Sequence, residues 1–303
     1  MYSLATRYFY EVATTGSLSA ASESLHVAIS AISRQISALE EDVGTPLFVR
    51  SARGMALTEA GELLLRHVRR ARLETDAVMQ SIAALKGGGH STIRIACTQG
   101  LANEFVPATL AEFRKRHPDT RFRIWVDRST RASQRVMEGE ADVAITFSTL
   151  PARGVDVLYT HSAPALAIMS RNHPLAGRRR LDISELADYP LALTDEHTST
   201  FRLFQLANNM GGMQIEPTVY SNHGESLHAF VRDSDGVLFA SYLSIGPRLE
   251  RNRLIAIPMR NPEMRARTVQ VQVMQGRILP DIVREFVDFS IEQLVDAIKQ
   301  APA

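Results

Sequence analysis

The sequence predicts three parts: an N-terminal all-α unit with a small hairpin, one long helix, and a C-terminal α/β region of two lobes. Three observations predict this. Two short helical patterns separated by a tight turn occupy residues 17–43. Apolar residues at steps of four and three then run from Leu64 to Leu85. Beyond Gly87-Gly88-Gly89, strand and helix patterns alternate, as in sheets covered by helices.

Leu4, Tyr8, Phe9, Val12 and Ala13 recur at helical spacing, and Gly16 stops that helix. Ser17 or Ser19 can cap the second helix, whose Ala20 and Ala21 permit close packing. His26-Val27-Ala28 make the turn. The third helix runs from about Ile29 to Val43, with Ile32, Ile36, Leu39 and Val43 as its buried stripe. Ser30, Ser33, Arg34 and Ser37 share another face, small, polar and singly basic. Such a face suits a major groove, although on a lone helix it is more often solvated. Gly44-Thr45-Pro46 end the helix. Two short strand patterns flank Ser51-Ala52-Arg53-Gly54 as a hairpin, which would set Arg50 and Arg53 along a phosphate backbone.

Thr58 caps a long helix, with Glu59 and Glu62 in its first turn. Leu64, Val68, Ala71, Thr75, Val78, Ile82 and Leu85 form a heptad seam among charged neighbours, which predicts a dimer. The glycines at 87–89 read as a hinge. Strands at 93–97, 122–126 and 142–146, with helices between, make a βαβαβ unit and imply a parallel sheet. A second series of strands and helices follows from Ala165 to Ala240, and the chain returns through a strand at 267–274 and a terminal helix. Two lobes crossed twice by the chain enclose a cleft at the carboxyl ends of their sheets.

Composition narrows the class. The 303 residues exceed one ordinary core and indicate two or three domains. No apolar run approaches the roughly 20 residues that span a bilayer, and the N-terminus does not read as a signal peptide. The single Cys97 excludes an internal disulfide, fits a reducing cytoplasm and leaves zinc without a ligand set. It reads as a small buried residue and not as a redox centre. The net charge of +1 carries no nucleic-acid signal, so a DNA reading rests on where the arginines lie.

The first ninety residues resemble LysR-type transcriptional regulators. The resemblance is carried by Phe9, Val12, Gly16-Ser17-Leu18-Ser19-Ala20-Ala21 and Leu25, then Ser30-Ala31-Ile32-Ser33-Arg34-Gln35-Ile36. It continues through Leu39-Glu40, Gly44, Leu47-Phe48, Arg50 and Leu57-Thr58-Glu59-Ala60-Gly61. His173-Pro174-Leu175 matches a further family feature. The resemblance implies a winged helix-turn-helix over 1–58, a linker dimerisation helix over 59–86 and a hinge over 87–90. It implies a two-lobed effector domain of periplasmic-binding-protein type over 91–303, with lobe I at 91–162 and 266–303 and lobe II at 163–265. One departure stands out: the family often has Gln where this chain has Ile29, which can pack on a thymine methyl but cannot hydrogen-bond to a base. Polar readout then falls to Ser30, Ser33 and Arg34.

The resemblance also implies a small molecule between the lobes, a small organic acid or amino acid. Thr98, Gln99 and Gly100 follow the first strand, where amides and hydroxyls can hold an anion. Thr198-Ser199-Thr200 precede a helix across the cleft, and Thr146, Phe147 and Asn222 end neighbouring strands. For each of these, helix capping or loop polarity is the competing explanation. Arg202 either pairs with a carboxylate or faces solvent. The expected partners are a pseudo-palindromic double-stranded DNA operator, the effector and a second or further copies of the chain, with RNA polymerase as an additional contact. No cofactor or metal is expected. A solute-binding protein fits the lobes but not the first ninety residues. An enzyme lacks support, since no phosphate-binding loop, dinucleotide fingerprint or nucleophile motif accompanies His161, His173, His197, His223 or His228.

Overall fold

The computed structural model describes residues 3–51, 54–85, 91–149 and 154–301. The chain divides into two units, Met1–Gly89 and His90–Ala303.

In the first unit, α1 (Leu4–Thr15) starts at Ser3, whose hydroxyl accepts from the Thr6 amide, and stops at Gly16. Ser17 caps α2 (Leu18–Leu25), accepting from the Ala20 amide, so Ser17 and not Ser19 is the cap. His26 then takes the left-handed conformation at φ 54° and turns the chain into α3 (Ile29–Val43). Phe9, Val12, Ala21, Ile32 and Ile36 meet in one core. The expected α3 stripe ends early: Leu39 is partly buried, but Val43 is exposed because the last turn of the helix runs past the core. Strands β1 (Phe48–Ser51) and β2 (Gly54–Leu57) pair antiparallel as the expected hairpin. Glu40 ties it to α3 by accepting from the amides of Leu47 and Phe48 at 2.8 and 3.1 Å. The hairpin also docks on the α1–α2 turn, where the Met55 amide donates to the Gly16 carbonyl at 2.8 Å. Thr58 caps α4 (Glu59–Leu85), accepting from the Gly61 amide at 3.0 Å.

The second unit holds two five-stranded sheets. The first lobe opens with β3 (Thr92–Cys97), α5 (Gln99–Ala102) and α6 (Phe105–Arg116), followed by β4 (Arg121–Val126), α7 (Ser129–Glu138) and β5 (Val143–Ser148). Next comes β6 (Val155–Ser162), an edge strand that the sequence pattern does not announce, because its residues beyond Val155 are mostly exposed. The second lobe runs through β7 (Leu166–Ser170), β8 (Leu191–Thr194), α8 (Ser199–Met210), β9 (Val219–Ser221), α9 (Gly224–Arg232), β10 (Val237–Ala240), α10 (Tyr242–Ile245) and β11 (Leu254–Ile257). The chain then returns through β12 (Thr268–Met274) to the first sheet and ends in α11 (Asp281–Lys299).

Strand order is β4-β3-β5-β12-β6 in the first sheet and β11-β7-β10-β8-β9 in the second. The three strands of the βαβαβ unit pair in parallel as expected, but neither sheet as a whole is purely parallel. β3 is parallel to β4 and β5, but the returning β12 is antiparallel to β5 and β6. β7 likewise runs antiparallel to β10 and β11. A strand entering from the other lobe arrives without a crossover helix, so nothing forces it to be parallel.

An aromatic cluster anchors the first lobe: Phe113 lies 5.2 Å from Phe286 and 5.7 Å from Phe289, ring centre to ring centre. Leu243 of α10 enters that same core, so a residue of the second lobe helps fill the first. Residues of both lobes surround a cavity between the sheets.

Candidate functional sites

The polar face of α3 is open to solvent. Ser30, Arg34 and Ser37 are exposed, and Ser33 is half-buried. Ile29 is 45% exposed at the start of the helix, an apolar group held outside the core. Opposite this face, Ile32 and Ile36 fix the helix to α1 and α2. The side chain of Arg50, and the whole of Arg53, lie outside the described residues, as do the hinge glycines 87–89.

The expected seam on α4 divides in two. Val68 is fully buried in its own unit's core, and Leu64 packs against that core. These two residues therefore serve the domain that carries them, because the first turns of α4 lie against α1 and β2. Further along, Val78 and Ile82 are exposed, as is Met79, and Ala71 is half-buried between the two regions. The side chain of Leu85 lies outside the described residues.

The cavity between the lobes has a volume of about 560 Å³. Eight of the nine residues expected there line it: Thr98, Gln99, Gly100 and Phe147 from the first lobe, and Thr198, Ser199, Thr200 and Asn222 from the second. Thr98 holds its place by accepting from the Phe147 amide at 3.3 Å. Thr198 caps α8, accepting from the Phe201 amide at 3.2 Å. Thr146 is the exception. It points into the sheet's interior, where Gln272 Nε2 donates to its hydroxyl at 3.4 Å, and it has no exposed surface. Alternation along a strand puts neighbours on opposite faces, so Phe147 and Thr146 cannot both reach the cavity. Arg202 faces solvent.

Several cavity residues escape sequence reasoning. Arg267 is 2% exposed, and Arg128, Arg131, Asp195 and His228 also line the space. Arg267 stands at the point where the chain re-enters the first sheet, so only the topology brings it to the cleft. Its guanidinium lies 4.5 Å from the centre of the Phe147 ring. Burial pushes its pKa down to about 10, which still leaves it charged at neutral pH. Cys97 is buried and its thiol is pushed up to about 12, by burial first and by the charge of Asp127 second. It is therefore protonated and inert.

Polar contacts close the cleft from both sides. Gln99 Nε2 donates to the Asn222 carbonyl at 3.0 Å. Arg248 of the second lobe donates to the Asn103 carbonyl at 3.0 Å and pairs with Glu104, both in the first lobe. Arg128 and Asp195 approach to 3.7 Å at the other rim. Burial holds His228 toward its neutral form, against the opposing pull of Glu225, whose Oε1 is 3.6 Å from Nδ1.

Residues 5–62 match the family model described as bacterial regulatory helix-turn-helix protein, lysR family, and residues 86–295 match the LysR substrate binding domain. The chain belongs to the LysR family of transcriptional regulators. Like its family, this LysR-type regulator joins a DNA-binding helix-turn-helix to an effector-binding domain. It is similar to the RuBisCO operon transcriptional regulator of Allochromatium vinosum, 28% identical over 285 residues and 93% of each chain. It is 27% identical over 241 residues to the HTH-type transcriptional activator CmpR of Synechocystis sp., covering 78% of each chain. Among solved structures, full-length OxyR from Pseudomonas aeruginosa shares its fold with a TM-score of 0.63 at 19% identity, covering 99% of this chain and 95% of that one. CbnR shares it with a TM-score of 0.53 at 18% identity, covering 96% and 100%. Among the described residues, no helix is long and apolar enough to cross a membrane.

Proposed function

We propose that this LysR-type regulator reads a pseudo-palindromic operator as a cytoplasmic dimer or tetramer and responds to a small organic acid or amino acid held between its lobes. The observation that carries this reading is the cavity itself, enclosed by both lobes and rimmed by hydroxyls, amides and a helix start. Residues 1–58 form the DNA-binding domain, 59–86 the linker helix and 91–303 the effector domain, joined by a hinge at 87–90. Ser30, Ser33, Arg34 and Ser37 contact base edges or phosphates, Ile29 packs on a thymine methyl, and Arg50 and Arg53 follow the backbone. The cavity residues named above, Thr146 excepted, form the effector site. Self-association runs through the exposed part of α4 around Val78 and Ile82.

The mechanism is a population shift. An effector that binds one arrangement of the lobes more tightly favours it, and the paired DNA heads change their spacing or the bend of the operator. The chain acts by binding and not by turnover, and RNA polymerase is the downstream contact. A thermal-shift screen of small carboxylates, amino acids and aromatic acids tests the effector class, because a ligand that binds only the native state raises its apparent stability. Stabilisation by at least one compound that also alters operator binding is the expected result. Stabilisation by none of them contradicts the effector reading.

A further inference from the structure

Among the described residues, Arg267 is the largest fully buried side chain. Its three hydrogen bonds all go to neutral oxygens: Ala163 O at 2.9 Å, Thr200 Oγ1 at 2.8 Å and Pro164 O at 3.3 Å. A guanidinium has five N–H donors, so two remain. Burial is the sole cause of its lowered pKa, with no carboxylate contributing. A buried charge without a counter-charge is expensive. Among the described residues, the other charged groups at the cavity already face opposite charges. Arg128 faces Asp195, Arg131 pairs with Glu138 and Glu140, and Asp127 accepts from Arg135 at 2.6 Å.

The surroundings of Arg267 favour negative charge. Thr200 accepts from it, which leaves the Thr200 hydroxyl proton free to donate elsewhere. Ser199 and Thr200, which open the 12-residue helix α8, line the same cavity, and their amides have no intrahelical acceptor, whereas the Phe201 amide is taken by the Thr198 cap. Phe147 covers one side of the guanidinium. Leu227, Leu238 and Phe239 add apolar wall elsewhere in the cavity.

We infer that Arg267 is the counter-ion of the effector, and that the cavity takes a small monocarboxylate whose charged end meets Arg267 and the start of α8 while its body lies on the apolar wall. This rests on the reading of the cavity as the effector site and selects among the ligands that reading admits. Among the described cavity residues each carboxylate already faces an arginine, so the ammonium group of an α-amino acid meets no unpaired counter-charge and the second charge of a dicarboxylate meets no second unpaired cation.

The test uses the full chain and a matched panel: acetate, benzoate and phenylacetate, with benzamide, succinate and phenylalanine. At least one monocarboxylate is expected to raise the melting temperature saturably, with benzamide, succinate and phenylalanine roughly tenfold weaker or inert. R267Q is expected to remove that response, and R267K to restore part of it. Equal binding of benzoate and benzamide, or an undiminished response in R267Q, overturns the assignment. So does the failure of every monocarboxylate. The carboxylate–amide comparison on the unmodified protein decides the matter should R267Q not fold. Stabilisation by the amide or by phenylalanine alone would leave the effector cavity standing and remove only Arg267's role. No response to any compound would remove both.

Discussion

Asn103 Nδ2 donates to Glu225 Oε1 at 3.1 Å and so joins the first lobe of the effector domain to the second. Arg248 donates to the same Glu225 oxygen at 2.6 Å, and thus one carboxylate serves both sides of the cleft. Glu225→Ala removes both bonds. The expected cost is about 1–2 kcal/mol, read as a lower denaturation midpoint. Because the contact lies beside the cavity, ligand affinity should change as well. An unchanged midpoint and affinity would show that the bridge contributes nothing.

Gly100 of the first lobe packs tightly against Ser244 of the second. A Cβ there would meet Ser244 Oγ at 2.6 Å and Phe147 Cε2 at 3.0 Å. Gly100→Val is therefore expected to displace Phe147 and abolish ligand-induced stabilisation, while operator binding by the separate N-terminal unit persists. Calorimetric titration with the best compound of the panel checks this.

Gly61 makes the corresponding close approach in the DNA-binding unit. A Cβ would fall 2.1 Å from the Leu47 carbonyl oxygen and 2.8 Å from Leu57 Cδ2. Since backbone cannot yield as a flexible side chain can, Gly61→Ala should cost roughly 1–3 kcal/mol or more. Operator affinity should fall with it, and the ligand response of the effector domain should survive. Gel-shift and thermal-shift measurements on one preparation separate the two effects.

The two halves of α4 predict opposite outcomes. Val78→Asp and Ile82→Asp alter exposed positions and should weaken self-association with little loss of monomer stability. Val68→Ala opens a void in the unit's own core and should cost about 1–2 kcal/mol without changing subunit number. Sedimentation equilibrium reports the subunit number in each case.

Acid stability should depend on Asp142. Burial pushes this carboxyl upward, but hydrogen bonds and charge from Arg94, with the charge of Arg277, outweigh it and hold the carboxyl below the usual range. A depressed folded value stabilises the protein above the unfolded carboxyl's range, near pH 4, and that contribution is lost as pH falls through the folded value. Asp142→Asn should lower stability at neutral pH by about 3–5 kcal/mol, since Arg277 is then left buried without its anion. It should also flatten the acid limb of the stability–pH curve. An acid limb identical to the parent's would assign acid unfolding to other groups.

Local signals made much of this molecule readable in advance. Helix stops at Gly16 and Gly44, the caps at Ser17 and Thr58, and the hairpin before α4 follow from single residues and their spacing. The cavity residues after β3 and before α8 were legible because ligands meet α/β sheets at strand ends. What escaped depends on distant parts of the chain. β12 is antiparallel because it returns from the other lobe, and Arg267 reaches the cavity through that return. Thr146 was misplaced by one step of strand alternation, and the α4 seam ran together two faces that only the packing of α1 and β2 separates.

The most direct measurement is a titration of a labelled upstream DNA duplex with the full chain and with Arg34→Ala, at several salt concentrations. The parent is expected to bind with a steep salt dependence. Arg34→Ala should bind about tenfold or more weakly, equivalent to roughly 1–3 kcal/mol for one lost base or phosphate contact. Binding by Arg34→Ala that matches the parent at every salt concentration, or no binding by the parent, would contradict the assignment of α3 as the DNA reader.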